Sequence, residues 1–466
     1  MSALSTTDAV TTRSSRATPS DAIPLLQELI RSACVNDGSD GSGQEIRNVN
    51  VLRSYFEGLP VEIEIVEPLP SRANIIATLR GKTPGAPSLA FVGHLDVVPA
   101  DPGGWSRDPF GGELVDGEIW GRGAVDMLNF TAAMAVAFRI VAESAANGTE
   151  QLDGDLVFVG SADEEAGSRY GMGWLVAKRP DLVLTDVAIT ESGGGIPLGP
   201  PDDRQVTVTS GQKGAASRKI RVRGESGHGS MPYAITSGAL LAAQVVERLA
   251  SHRTAVTLPN DNTWPNLLRA LGITGSLLER LLDPATVDDA LPETGQYARI
   301  LHALSHLTIS PNVVSAGTKA NVIPGEGVVD VDIRLLPGQT GDDADRELAL
   351  ALDGMPGTVT IESVHDVLAV ATNCTDALFT TIAEVIGEFY PGARALPVLT
   401  PGGNDARHYL TRDRPCYGFG LFSEAMDFAE FRRRFHGDDE RIDAKSVEMC
   451  AAGYVRIAQR LSAHTA

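Results

Sequence analysis

Cysteine is scarce: Cys34, Cys374, Cys416 and Cys450 are scattered through 466 residues, with no CxxC pair. This spacing suggests neither a disulfide framework nor a thiolate zinc site. Basic residues are outnumbered too, 39 Lys and Arg against 60 Asp and Glu, for a formal charge of −21. That balance argues against nucleic acid and against anionic membrane surfaces as partners. No run of 18 apolar residues occurs, and the N-terminus has no charged segment leading into an apolar stretch. A cytoplasmic location is the expectation. Also missing are the GxSxG elbow of serine hydrolases, an HExxH pair, a P-loop, and a GxGxxG between strand and helix. One SxxK, Ser210 to Lys213, stands alone and carries no chemistry by itself.

What is present is the composition of an ordinary globular chain, 43% hydrophobic and 21% charged. Its length exceeds what a single core supports, so two or three domains are expected. Residues 1–20, rich in Ser, Thr and Ala, read as a disordered leader. From Asp21, read as an N-cap, AIPLLQELIRSACV has helical periodicity. Apolar runs at 61–66, 75–79, 88–93, 155–160 and 186–190 predict strands, and 129–146 predicts a long helix. Such alternation predicts an α/β fold with a central twisted sheet covered by helices on both faces. The character changes near Gln205. Strands at 205–209, 218–222, 308–310, 327–335 and 358–363, with an amphipathic helix at 237–250, predict a smaller α+β domain of βαβ type. The expected division is a larger domain of 21–205 and 367–466, interrupted by a smaller one of 206–366. Within the latter, 252–307 reads as an irregular insertion. Helices are predicted at 375–388 and 444–463.

Acidic residues and a histidine gather at or just beyond predicted strand ends. They are His94 and Asp96 in FVGHLDVVP, Asp126 in WGRGAVDM, Glu164 and Glu165 in GSADEEAGS, and Glu191 in ITESGGG. In an open α/β sheet, ligands bind in the crevice beyond the strands' carboxyl ends. Taken singly, His94 is an ordinary polar turn residue and the two glutamates a solvated turn. Taken together, carboxylates within a few ångströms repel one another, and some would have to take up protons unless cations lie between them. A set of His and carboxylate without thiolate suits Zn²⁺, with Co²⁺ or Mn²⁺ as alternatives. Two ions about 3.5–4 Å apart make a hydrolytic clamp.

HLDVVP, GRGAVDM, DEEAGS, the Glu of TESGGG, GHGSMP, ANVIP, DIRLLPG, GGNDARHY and FHGDDE follow one another across residues 88–440. In this order they resemble the motifs of the metallopeptidase family that contains aminoacylase, succinyl-diaminopimelate desuccinylase, carboxypeptidase G and carboxypeptidase S. The insertion is similar to that of the larger carboxypeptidase S-like branch, which favours bulky or apolar groups on the substrate.

The resemblance implies a catalytic α/β domain holding two zinc ions and a smaller lid that also dimerises. His94 and Glu191 would bind one ion, Glu165 and His436 the other, and Asp126 both. Glu164 would be the general base, and Asp96 would orient the His94 imidazole. His228 would stabilise the oxyanion, commonly from the partner subunit. Arg334 would pair with the substrate carboxylate, Asn321 would hydrogen-bond the substrate, and Gly402 and Gly403 would offer backbone donors. A cis peptide is expected after Asp126. Asn404 stands where many relatives carry Ser or Thr, and the resemblance gives it no role. The implied function is hydrolysis of an amide or peptide bond beside a free carboxylate, in a small-molecule substrate such as a dipeptide. Two alternatives stay open: an N-acyl or N-carbamoyl amino acid amidohydrolase, and a non-catalytic binding protein that keeps the fold. The second would show a lost ligand or base, and here every such position is filled.

Overall fold

The computed structural model of the protein describes residues 16–191, 194–259 and 262–464. Its larger sheet runs in the order Glu62–Leu69, Arg72–Leu79, Leu156–Ser161, Leu89–His94, Val187–Thr190, Cys416–Gly418, Gln205–Gln212, Val370–Ala371. Arg394–Thr400 and Pro197–Leu198 also pair with Gln205–Gln212. The sheet is mixed. Leu89–His94 is parallel to both of its neighbours, whereas Arg72–Leu79 joins Leu156–Ser161 antiparallel.

Period-two alternation divides the strand residues between two cores. Ile75, Ala77, Phe91 and Phe158 go to one face, packed with the helices Ala22–Arg31, Leu128–Ala146 and Ala444–His464. Ile76, Ala90, Val92, Val157 and Val159 go to the other, against Met172, Leu175 and Tyr409. Both faces are therefore covered, which is why these strands read as unbroken apolar runs. Leu128–Ala146 is long and apolar enough to cross a membrane, yet 72% of it is buried inside the protein. A helix apolar on all sides is what the middle of a large core requires.

The smaller sheet has the order Thr308–Ala316, Glu326–Leu335, Gly214–Arg223, Thr358–Val367, and every neighbouring pair is antiparallel. The helices Gly238–Ser251 and Gly341–Leu352 link strands that run parallel but are not neighbours. The βαβ connections expected from the sequence are thus of the split kind. Leu241, Val245 and Leu348 of these helices close a separate core over Ile220, Val222 and Val329.

The insertion is more regular than its sequence suggests, with helices Thr263–Ala270, Gly275–Leu282 and Ala298–Ser305. Its Trp264, Leu267, Leu301 and Leu304 join the core of the larger sheet rather than that of the smaller one. At the strand crossing, buried Lys213 donates from Nζ to the carbonyls of Ala303 (2.9 Å) and His306 (2.7 Å), tying the crossing to the insertion.

Residues 1–15 of the expected leader lie outside the described residues. Residues 16–20 are held: the Ala17 N–H donates to Glu143 Oε2 at 2.9 Å, and Thr18 forms a capping box with Asp21 around Pro19–Asp21. Asp21 therefore has helical backbone angles, and the cap sits three residues earlier than expected.

Candidate metal centre and active site

The three adjacent parallel strands each deliver an acid or a histidine at the same end. Leu89–His94 finishes on His94, Leu156–Ser161 leads into the turn Glu164–Ala166, and Val187–Thr190 is followed by Glu191. Adjacency and common direction are what make residues distant in sequence converge. Asp126 enters from the loop before Leu128–Ala146, and the Asp126–Met127 peptide is cis. His436 comes from the other end of the chain, just after the short helix Phe428–Arg434, with φ +54°.

Ligand atoms of His94, Asp126 and Glu191 all lie within 4.8 Å of one another, and so do those of Asp126, Glu165 and His436. Asp126 belongs to both groups. Its Oδ1 is 3.3 Å from His94 Nε2, and its Oδ2 is 3.2 Å from His436 Nε2. His436 Nε2 also stands 3.3 Å from Glu165 Oε2, while Glu165 Oε1 is buried with no hydrogen-bond partner among the described residues. An orphaned carboxylate oxygen facing a cluster of imidazoles and carboxylates is the environment a divalent cation satisfies.

The electrostatics carry the same signature. Burial pushes the Glu164 carboxyl well above the usual range. Burial, reinforced by Asp126, does the same to Glu191, and Glu165 is raised for the same two reasons. His436, hydrogen-bonded to Asp126 and Glu165, is raised to about 10. Burial opposes charge on His94, yet Asp126 and the surrounding carboxylates hold its pKa well above the ordinary histidine value. Asp126 is lowered against the cost of its burial, because both imidazoles bond to it. Raised histidines set among raised carboxylates mark an acidic cluster whose charge a divalent cation would balance.

Asp96 differs in detail from the expectation. His94 Nδ1 bonds to the backbone carbonyl of Asp96 at 2.9 Å, and the Asp96 carboxylate is farther off at 3.6 Å. That carboxylate is engaged elsewhere: it accepts from Asn36 Nδ2 (2.8 Å) and from the backbone N–H groups of Glu164 and Glu165 (3.2 Å each). It fixes the glutamate turn as directly as it borders the imidazole. The Glu164 side chain is largely covered, 9% exposed, with Arg407 Nη1 4.0 Å from its Oε1.

The residues of the smaller sheet stand apart from this cluster. Exposed His228 lies in Gly227–His228, paired with Val322–Ile323, and the Gly229 N–H donates to the Asn321 carbonyl at 2.9 Å. His228 and Asn321 are therefore neighbours, and among the described residues no hydrogen bond or ion pair joins His228 to the carboxylates. Arg334 is half-buried, with Nε 3.0 Å from Asp332 Oδ1. Gly402 and Gly403 follow Arg394–Thr400 and are exposed. Asn404 is buried and structural: its N–H donates to Gln212 Oε1 at 2.7 Å, and its Oδ1 accepts from the Ala406 N–H at 3.1 Å.

Two supports escaped the sequence reading. Behind the glutamate turn, buried Arg72 pairs with Glu45 (2.8 Å) and Asp163 (2.7 Å), and Asn36 links Asp163 to Asp96. Beside Asp126, buried Glu440 pairs with Arg122 at 2.7 Å. Arg122 and Glu440 stand inside GRGAVDM and FHGDDE, so the motifs contained the signal. Nothing local in sequence shows that they meet.

The sequence matches peptidase family M20/M25/M40 over residues 90–460. It is 29% identical over 450 residues to a succinyl-diaminopimelate desuccinylase of Phenylobacterium zucineum, covering 94% of this chain and 98% of that one. It is 26% identical over 397 residues to an N-fatty-acyl-amino acid synthase/hydrolase of Xenopus tropicalis, covering 79% of this chain and 71% of that one. In fold it is similar to an M20 family metallo-carboxypeptidase of Sulfolobus solfataricus, with TM-score 0.68 at 16% identity, covering 95% and 99% of the two chains. The chain belongs to peptidase family M20/M25/M40 and is a hydrolytic enzyme of the metallopeptidase and amidohydrolase type.

Proposed function

We propose that the enzyme cleaves an amide bond beside a free carboxylate in a small molecule, using two divalent metal ions. The observation that carries this reading is the pair of triads sharing Asp126, with the largely covered Glu164 adjoining Glu165. His94 and Glu191 would hold one ion and Glu165 and His436 the other, with Asp126 common to both. Zinc suits the donor set best, and cobalt and manganese are the alternatives. When bound, such a pair lowers the pKa of a water and polarises the scissile carbonyl. Glu164 takes the proton from the attacking water and returns it to the leaving amine, a relay for which a carboxyl raised by burial is suited.

His228 would supply the donor for the developing oxyanion. Its Nδ1 accepts the backbone N–H of Ser230 at 3.2 Å, which leaves the proton on Nε2, at the far side of the ring. Arg334 would fork onto the substrate carboxylate, exchanging Asp332 for it, while Asn321 and the Gly402–Gly403 backbone hold the rest. His228 sits on the smaller domain, so we assign that domain, roughly 206–366, as a hinged lid. A homodimer through the lid would deliver His228 in trans. The edge strand Thr308–Ala316 exposes Val313 and Val314, an edge suited to isologous pairing with its symmetry mate.

A second reading is favoured by the relatives. The two named above are a desuccinylase and an N-fatty-acyl-amino acid hydrolase, which points to an N-acyl amino acid as substrate. The test is hydrolysis of a panel of dipeptides, N-acyl and N-carbamoyl amino acids with Zn²⁺, Co²⁺ or Mn²⁺. Turnover should require both the metal and the free carboxylate. Equal rates on substrates with an amidated carboxyl group would overturn the assignment.

A further inference from the structure

We propose that Arg122 and Glu440 are positioning residues that set the spacing between the two halves of the metal centre. This rests on the dinuclear reading above. Glu440 is fully buried, and one of its oxygens accepts three backbone N–H groups in the loop that carries Asp126. They come from Gly123 (3.1 Å), Val125 (2.7 Å) and Asp126 itself (3.1 Å). The other oxygen accepts from Arg122 Nη1 at 2.7 Å.

The guanidinium then reaches two further loops. Nη1 also donates to the Gly437 carbonyl at 3.0 Å, and Nη2 to the carbonyls of His436 at 3.3 Å and Pro99 at 3.4 Å. Trp105 lies against the cation, 5.2 Å from ring centroid to guanidinium carbon. One buried ion pair therefore joins the loop beyond His94, the loop of the shared Asp126, and the loop of His436.

The two triads depend on it unequally. His94 and Glu191 stand at or next to the ends of strands that are hydrogen-bonded within the sheet. His436 is held less directly: it follows a short helix, in a left-handed backbone conformation, with half its side chain exposed. Its loop rejoins the segment before Asp126 at Glu440, whose carbonyl accepts the Gly121 N–H at 3.0 Å, and in the pairing of Arg441 with Trp120. Nearer the ligand, Arg122 bonds the carbonyls of His436 and Gly437, and Glu440 bonds the Asp126 loop. A buried ion pair is weak evidence for stability and better evidence for register. Partners behind metal ligands typically change metal affinity by about 10–100-fold when removed.

The test is a competition titration of the full-length protein with Zn²⁺ and a chelator, comparing wild type with Glu440→Gln and Arg122→Lys. The amide of Glu440→Gln keeps an oxygen for the three N–H groups but sets an NH₂ against the guanidinium. Arg122→Lys keeps the charge and loses the fork, so it covers the case in which Glu440→Gln fails to fold. The expected result is two binding events in wild type. His436→Ala in the same titration identifies the event that depends on His436. In the variants that event should weaken about 10–100-fold while the other stays within about threefold. Equal loss from both events, loss confined to the other event, or no change in either, would overturn the positioning role. Fewer than two events in wild type would instead defeat the dinuclear reading itself.

Discussion

His436 Nε2 lies 3.2 Å from Asp126 Oδ2, joining a loop near the C-terminal helix to the one that opens the long central helix. That contact makes two triads out of one cluster, because the opposite oxygen of Asp126 faces His94. His436→Ala should therefore leave His94, Asp126 and Glu191 intact and reduce bound metal from two ions per chain to one. Elemental analysis after dialysis reads this directly. Retention of two ions would remove His436 from the ligand set.

On the proposed reading Glu164 acts as the base while its neighbour Glu165 binds metal. Glu164→Gln should keep metal binding and lose about 10²–10⁴-fold or more in turnover, because an amide cannot accept the water's proton. Metal analysis and single-turnover rates on the same preparation separate the two effects. Loss of metal in this variant would show that the roles of the two glutamates are exchanged.

The proposed delivery of His228 in trans, from a dimerising lid, gives a complementation test. Mixing Glu164→Gln with His228→Ala, each inactive alone, should restore activity in mixed dimers that contain one site with both groups. No recovery after confirmed subunit exchange would place His228 in cis or outside the reaction.

Glu430 lies on the helix before His436, bonded to Arg433 (2.7 and 2.8 Å) and Arg434 (2.9 Å). Those contacts, Arg433 first, lower its pKa from 4.5 to about 2. A depressed carboxyl pKa contributes stability that is present above pH 4.5 and lost as the pH falls towards 2. The side chain is 31% exposed, so screening limits its worth to about 0.5–1 kcal/mol. Urea unfolding of Glu430→Gln should show that deficit at pH 7, shrinking steadily below pH 4.5. A deficit that grew on acidification would contradict it.

Much of the cluster was legible because its residues sit in short, ordered motifs. Strand ends such as His94 and Glu191 announce themselves when an apolar run stops on an ionisable residue. Elements with mixed polarity did not. Ile46–Tyr55 buries Asn48 along with Val49, Leu52 and Tyr55, and the Asn48 amide donates to the Leu95 carbonyl at 2.9 Å, so its inward face is partly polar. Gly341–Leu352 opens with Asp342 and Asp343, and its signal was the capping box of Thr340 with Asp343 rather than periodicity. Arg394–Thr400 contains Pro397, which argues against a central strand; among the described residues it pairs only with Gln205–Gln212, where an edge tolerates proline. The Asn36–Asp163–Arg72–Glu45 network joins residues that no local pattern connects.

The central claim, that one base works beside two metal ions, is tested most directly by titrating metal-free enzyme with Zn²⁺ while following bound metal and hydrolysis of the best panel substrate together. The account predicts no turnover without metal, binding that saturates at two ions per chain, and full activity only as the second ion binds. Full activity in the metal-free chain, or saturation at a single ion, would contradict it.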